Sequence, residues 1–374
     1  MNAGIQPIVM PKWGLAMQEG TLLKWLVEDG AVIKPGLEIC EIETSKITNA
    51  LEATVSGTLR RRVADEGALL PVGALLGVVS EGAVEEAALD SFIASFQEAF
   101  AAAVAEGGSE AAGPETIQVG GRTLRYQRAG DAGSPIVFLH GFGGDYNGWL
   151  FNQTALADRH STYAIDLPGH GGSSKDAGDG SVDTLSDIVA GALEALEVGR
   201  AHIVGHSLGG AIAAAYAAKH PGRVSALTLI ASAGLGREIN QRFIDGLISA
   251  SGRKDLTPVL QLLFADPSLV TRDMVNDLLK FKRLDGVDAA LRAIAGASFA
   301  GGTQTLQLRD QLAALKVPTQ VIFGAADSII PAAHAEGLPR SIRVHVLPGT
   351  GHMPQMEKAG DVNAFIEELD KTTA

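Results

Sequence analysis

The stretch His202-Ile203-Val204-Gly205-His206-Ser207-Leu208-Gly209-Gly210-Ala211 decides the fold of most of this chain. His202, Ile203 and Val204 read as a buried strand, and the small residues from Ala211 to Ala218 read as a helix. The pattern Gly205-x-Ser207-x-Gly209 therefore falls on a strand-to-helix turn, the setting of a serine nucleophile elbow. Glycine on both sides permits the strained turn that lifts the Ser207 hydroxyl out of a sheet. The N–H of Leu208 at the helix start can then face a developing oxyanion. By itself the motif is weak, because a tight turn needs glycines for steric reasons alone. Its surroundings decide.

Working outward, Pro135 to Leu139, Leu227 to Ile230, Gln320 to Phe323 and Arg343 to Leu347 are further apolar strand runs. From Thr116 onward strands alternate with helical patterns. That alternation predicts an α/β fold, a mostly parallel sheet with helices on both faces. The glycine-rich turn His140-Gly141-Phe142-Gly143-Gly144 follows the first of these strands, so the Phe142 amide is the expected second oxyanion donor, with His140 bracing the loop. An elbow of this kind requires an acid and then a histidine later in the chain. Asp327 lies in a short loop between Gly324 and Pro331, and His352 lies in a loop after Leu347, just before the final helix. The predicted triad is Ser207, Asp327 and His352. Asp361 is the spare acid, read as the cap of that last helix. Between Gly234 and Gln311 the strand rhythm breaks into helices, which predicts a cap over the site.

The first eighty residues carry an internal repeat. Gly20-Thr21-Leu22 recurs as Gly57-Thr58-Leu59, the turn at Gly30 recurs at Gly67, and Gly36 recurs as Gly73, all at an offset of 37 residues. Glycines at turns between short β-rich runs predict two similar halves of a small β-sandwich. Leu37 to Glu43 and Thr48 to Ala53 read as neighbouring strands, leaving Thr44, Ser45, Lys46 and Ile47 as the hairpin between them. A lysine there is either a solvated turn residue or a modification site.

With 43 acidic against 30 basic residues, the net charge of −13 offers no footprint for nucleic acid or an anionic membrane surface. Cys40 is the only cysteine, which excludes an intramolecular disulfide and a multi-cysteine metal site and suits a reducing cytoplasm. No apolar run is long enough to span a bilayer. Between Val84 and Ala105, Leu89, Phe92, Ile93, Phe96 and Phe100 make the stripe of an amphipathic helix. Packing on the neighbouring domain is preferred for it over docking or oligomerisation. Residues 106–114 then form a tether that reaches roughly 17 Å and holds the first domain at about millimolar effective concentration around the second. The expected division is 1–80, 81–115 for helix and linker, and 116–374 with the cap at about 234–311.

The first segment, from Met10-Pro11-Lys12 through Glu43-Thr44-Ser45-Lys46 to Gly57, resembles the lipoyl domains of 2-oxoacid dehydrogenase complexes, whose turn lysine carries lipoate. Biotinyl domains share that all-β fold but usually set the lysine between methionines. Here its neighbours are Ser45 and Ile47, and Ser45 stands where many lipoyl domains have aspartate. The remainder resembles the α/β-hydrolase family, including the run Asp166-Leu167-Pro168-Gly169-His170-Gly171-Gly172-Ser173. Together the two parts resemble the acetyltransferase components of acetoin dehydrogenase complexes. That resemblance implies lipoate on Lys46 and transfer of its acetyl group to coenzyme A in acetoin catabolism. The implied partners are a thiamine-diphosphate enzyme that cleaves acetoin and a flavoprotein dihydrolipoyl dehydrogenase, in a homo-oligomeric assembly. Two features of ordinary 2-oxoacid acyltransferases are missing, a histidine followed four residues later by Asp-Gly and a peripheral-subunit-binding domain. A plain esterase or thioesterase, and an assembly scaffold with a vestigial triad, stand as alternatives.

Overall fold

In the computed structural model the described residues are 5–11, 17, 19–44, 48–53, 55–82, 84–105 and 113–372. The chain forms two compact units, Met1–Gly113 and Pro114–Ala374.

The first unit contains β1 (Ile5–Val9), β2 (Glu19–Trp25), β3 (Val32–Ile33), β4 (Glu38–Glu43), β5 (Thr48–Glu52), β6 (Gly57–Arg62), β7 (Leu69–Pro71) and β8 (Leu75–Ser80). They make two four-stranded sheets, β1-β8-β6-β3 and β5-β4-β2-β7, antiparallel throughout. The repeat is visible in three dimensions. Shifting β2, β3 and β4 by 37 residues lands on β6, β7 and β8, and each half lends its short middle strand to the other half's sheet. Gly30 and Gly67, and Gly36 and Gly73, take matching positive φ angles of 82° to 89° at the equivalent turns. Leu22, Ile33, Ile42, Leu59 and Leu76 fill the space between the sheets, all at 0% exposure. The predicted helix is α1 (Glu86–Ala105). It lies on β8, with Leu89 buried against Leu75 and Val78 and with Phe92, Ile93 and Phe96 flanking them.

The second unit is built on one eight-stranded sheet. Its strands are β9 (Glu115–Val119), β10 (Arg122–Ala129), β11 (Ile136–Leu139), β12 (Thr162–Ile165), β13 (Ala201–His206), β14 (Val224–Ile230), β17 (Thr319–Gly324) and β18 (Ile342–Leu347), while β15 (Phe299–Ala300) and β16 (Thr303–Gln304) form a separate small hairpin. The order is β18-β17-β14-β13-β11-β12-β10-β9; the six strands from β18 to β12 run parallel, and β10 and β9 close one edge antiparallel. Strand residues alternate between two cores. Val137, Leu139 and Ile203 face α3 (Val182–Ala195) and α4 (Leu208–Lys219), whereas Ile136, Phe138 and Val204 face Trp149, α2 (Leu150–Leu156) and α11 (Ala359–Asp370). Over the sheet's carboxyl edge come α5 (Gln241–Ser249), α6 (Arg253–Leu260), α7 (Arg272–Lys282) and α8 (Val287–Ser298), followed by α9 (Arg309–Ala314). A short α10 (Pro354–Glu357) separates His352 from α11.

One expectation needs correction. Asp361 does not cap α11: the cap residue is Lys358, with no side-chain cap bond, and Asp361 sits inside the first turn, where its charge faces the helix N-terminal dipole.

Candidate active site

Ser207 sits between β13 and α4 with φ 52° and ψ −115°, a backbone state L residues rarely hold. The surrounding structure enforces it. A Cβ at Gly209 would lie 2.2 Å from the Leu139 oxygen, and one at Gly205 would lie 2.3 Å from the Gly209 oxygen. The Ser207 N–H donates to the Ile230 oxygen at 2.9 Å, and its own oxygen accepts from Ala233 at 3.0 Å, so the turn is pinned on both sides. Ser207 is the N-cap of α4, yet its hydroxyl makes no cap bond; its main-chain oxygen takes the Gly210 N–H instead, at 3.0 Å.

The loop after β11 lies against the elbow, since a Cβ at Gly141 would meet Ser207 Cβ at 3.1 Å. His140 braces this loop. Its Nδ1 donates to the Gly141 oxygen at 2.8 Å and its Nε2 accepts from the Leu167 N–H at 2.9 Å, which defines one neutral tautomer. Burial holds this imidazole below the ordinary histidine range. Phe142 packs edge-on to Phe299, 6.0 Å between ring centres, and to His170, which in turn stacks on Phe281 of α7. The Phe142 ring thus packs against the segment between β14 and β17 through Phe299.

Asp327 and His352 come from the loops after β17 and β18, neighbouring parallel strands whose carboxyl ends lie side by side. His352 Nδ1 donates to Asp327 Oδ2 at 2.8 Å, with both side chains almost wholly buried. The other oxygen, Asp327 Oδ1, accepts from the N–H groups of Ile329 and Ile330 at 2.8 and 2.9 Å. Those bonds suit the charged carboxylate and aim it at the imidazole. Two contacts escaped sequence reasoning. His206 Nε2 donates to the His352 main-chain oxygen at 2.8 Å, and Glu357 holds the same loop from below. Both residues lie near the motifs that were legible, but neither fits a motif position.

Asp166, in the run after β12, has a fully buried side chain. It pairs with Arg125 Nε at 2.5 Å and accepts from the Tyr146 and Gly172 amides, which marks it as a structural anchor of these loops. Among the described residues no cluster of side chains suits a metal ion, and no helix is long and apolar enough to cross a membrane.

Ser45, Lys46 and Ile47 lie outside the described residues. The flanking strands β4 and β5 pair antiparallel with Glu43 opposite Thr48.

Comparison with known proteins adds three kinds of likeness. A family model described as alpha/beta hydrolase fold matches residues 134–359, and one described as biotin-requiring enzyme, of the biotin/lipoyl type, matches residues 6–79. The dihydrolipoyllysine-residue acetyltransferase component of the acetoin cleaving system of Pseudomonas putida is 48% identical, over 96% of each chain. Its counterpart from Cupriavidus necator is 45% identical over 97% of each. Among solved structures, the meta-cleavage product hydrolase of Pseudomonas fluorescens IP01 is similar with a TM-score of 0.63 at 23% identity, covering 70% of this chain and 98% of that one. At that identity the likeness concerns the fold alone.

Proposed function

The chain belongs to the dihydrolipoyllysine-residue acetyltransferase components of acetoin cleaving systems, and from that premise we propose that Ser207, Asp327 and His352 carry its transfer step. It is an acyltransferase of alpha/beta hydrolase fold that moves an acetyl group from a lipoyl arm to coenzyme A. Lys46 is the residue that would hold lipoate, which supplies the thiol that carries the acetyl group.

The reading rests on one observation above the others. A buried acid–imidazole pair at 2.8 Å stands at the ends of two adjacent strands, and His206, the residue before the strained Ser207, bonds the His352 main-chain oxygen at 2.8 Å. In this mechanism His352 takes the Ser207 proton as Oγ attacks the acetyl thioester carbonyl. The amides of Phe142 and Leu208 stabilise the tetrahedral oxyanion, a donor of this kind contributing about 3 kcal/mol to the barrier. As the carbon–sulfur bond breaks, His352 returns the proton to the leaving sulfur. The coenzyme A thiol then gives its proton to His352 and attacks the acetyl-serine, and the imidazole reprotonates Ser207 as it leaves. A thiol, with a reference pKa of about 8.5, ionises far more readily than water. Water must still be kept out, because acetyl-serine hydrolyses to acetate.

As a component of an acetoin cleaving system the chain has partners in a complex. We assign acetyl loading to a thiamine-diphosphate enzyme and reoxidation of the dithiol to a flavoprotein, in a cytoplasmic, homo-oligomeric assembly.

The test uses lipoylated protein with acetyl loaded on the reduced arm, following acetyl-coenzyme A and acetate with and without coenzyme A. Acetyl-coenzyme A formed by the parent chain and lost in Ser207→Ala supports the mechanism. Acetate released at one rate regardless of coenzyme A makes the protein a thioesterase, and transfer unaffected by Ser207→Ala removes the serine from it.

A further inference from the structure

The loop that carries His352 has two consecutive amides engaged by groups that belong to or also touch the cap. The Gly351 N–H donates to Glu357 Oε1 at 2.8 Å. The His352 N–H donates to the oxygen of Leu263, which follows α6 in the cap, at 2.8 Å. The second oxygen, Glu357 Oε2, accepts from the N–H of Ala265 at 2.8 Å, again in the cap. One carboxylate therefore bridges the backbone just before the catalytic imidazole to Ala265 of the cap. The junction is close: a Cβ at Gly351 would lie 2.6 Å from the Ala265 nitrogen and 2.9 Å from the Leu263 oxygen.

We propose that Glu357 is a positioning residue that fixes His352 and, through the same carboxylate, latches the cap edge at Ala265 over the triad, biasing the acetyl group toward thiol and away from water. The inference rests on the triad reading above and deepens it. A half-buried carboxylate taking N–H bonds from two segments holds them more firmly than a neutral acceptor does. Cap opening breaks the Ala265 bond and the Leu263 bond together, so the register of His352 and the closure of the site form one equilibrium.

Glu357→Gln keeps shape but turns one acceptor into a donor facing an N–H. Gly351→Ala wedges the same junction while leaving the carboxylate in place. Both variants are made in the full lipoylated chain. The readouts are the ratio of acetate to acetyl-coenzyme A, the rate at which a fluorophosphonate labels Ser207, and amide exchange at 263–265 and 351–353. Loss of a charge-assisted bond shifts the open–closed balance by about tenfold or more, so the acetate fraction rises by that order. Labelling slows by up to roughly 100-fold as the imidazole moves out of line, and exchange quickens at both segments together.

A variant that loses activity with an unchanged product ratio, or that exchanges faster at only one segment, overturns the latch. A ratio and labelling rate matching the parent overturn it equally. The fluorophosphonate arm contains no coenzyme A, so a parent chain that labels but forms no acetyl-coenzyme A refutes the acceptor assignment while the latch is still measured.

Discussion

The imidazole of His206, one residue before the nucleophile, donates from Nε2 to the main-chain oxygen of His352 at 2.8 Å, with the two rings 4.8 Å apart between centres. Burial, with His352 beside it, holds His206 well below the ordinary histidine range, so it stays neutral and keeps its donor. It ties the elbow strand directly to the base, across a chain separation of 146 residues. Removing the donor in His206→Phe is expected to lower kcat by about 10- to 100-fold through misplacement of His352, with KM for the acyl donor nearly unchanged. Steady-state kinetics on a small acetyl thioester check this. An effect on KM alone would assign His206 to substrate binding.

Asp327→Asn tests the orientation of the base. One side-chain oxygen accepts from the Ile329 and Ile330 amides and the other from His352 Nδ1. An amide cannot satisfy both sets, and the side that receives NH2 forces either a clash or the wrong imidazole tautomer. Turnover is expected to fall about ten-thousandfold while the fold survives, as in other serine triads. Circular dichroism and a fluorophosphonate labelling rate measured together separate this outcome from unfolding.

His170 sets a pH limit on stability. Its Nδ1 donates to the Pro168 oxygen at 3.0 Å, and burial, with His140 nearby, pushes its pKa down to about 3 from an ordinary 6.5. Between those values the unfolded chain binds a proton that the folded chain refuses. Stability therefore rises with pH across this window and is lost on acidification, at about 1.4 kcal/mol per pH unit for this one group. In His170→Phe the urea midpoint of the second unit should fall less steeply from pH 6 to pH 4 than in the parent. Equal slopes would mean that His170 takes up its proton without unfolding.

How much of this could be read from the chain depends on how local the signal is. The elbow turn is legible because strand, glycines, serine and small-residue helix are contiguous, and the hydrogen-bonded pair Asp327 and His352 can be found because chain order narrows the search. The β-sandwich repeat is legible because each half must place glycine at the same left-handed turns, Gly30 with Gly67 and Gly36 with Gly73. Glu357 and His206 are opaque for the opposite reason. Their roles lie in bonds to backbone groups of distant segments, Ala265 and the His352 oxygen, and a main-chain partner leaves no side-chain signature. The placing of Asp361 fails more simply, because α10 intervenes and the last helix starts one residue after Lys358.

Helix α1 poses the remaining choice between packing and docking, and Leu89 decides it. Leu89 is 2% exposed, held against Leu75 and Val78 of β8, with Phe92, Ile93 and Phe96 half-buried beside it. Arg61 of β6 also pairs with Asp90 and Glu86 on the helix, but ion pairs this exposed contribute little. The apolar stripe is thus spent within the first unit. Leu89→Ala should destabilise that unit by about 2–5 kcal/mol, the usual cost of emptying a buried leucine site. In calorimetry of the full chain only the transition of the first unit should move, and the rate on a free acetyl thioester should stay at the parent value, since that chemistry belongs to the second unit. If α1 instead served as a docking helix for another copy, the same substitution would leave both transitions in place and change the sedimentation coefficient. Thermal scans and sedimentation velocity on one sample distinguish the two.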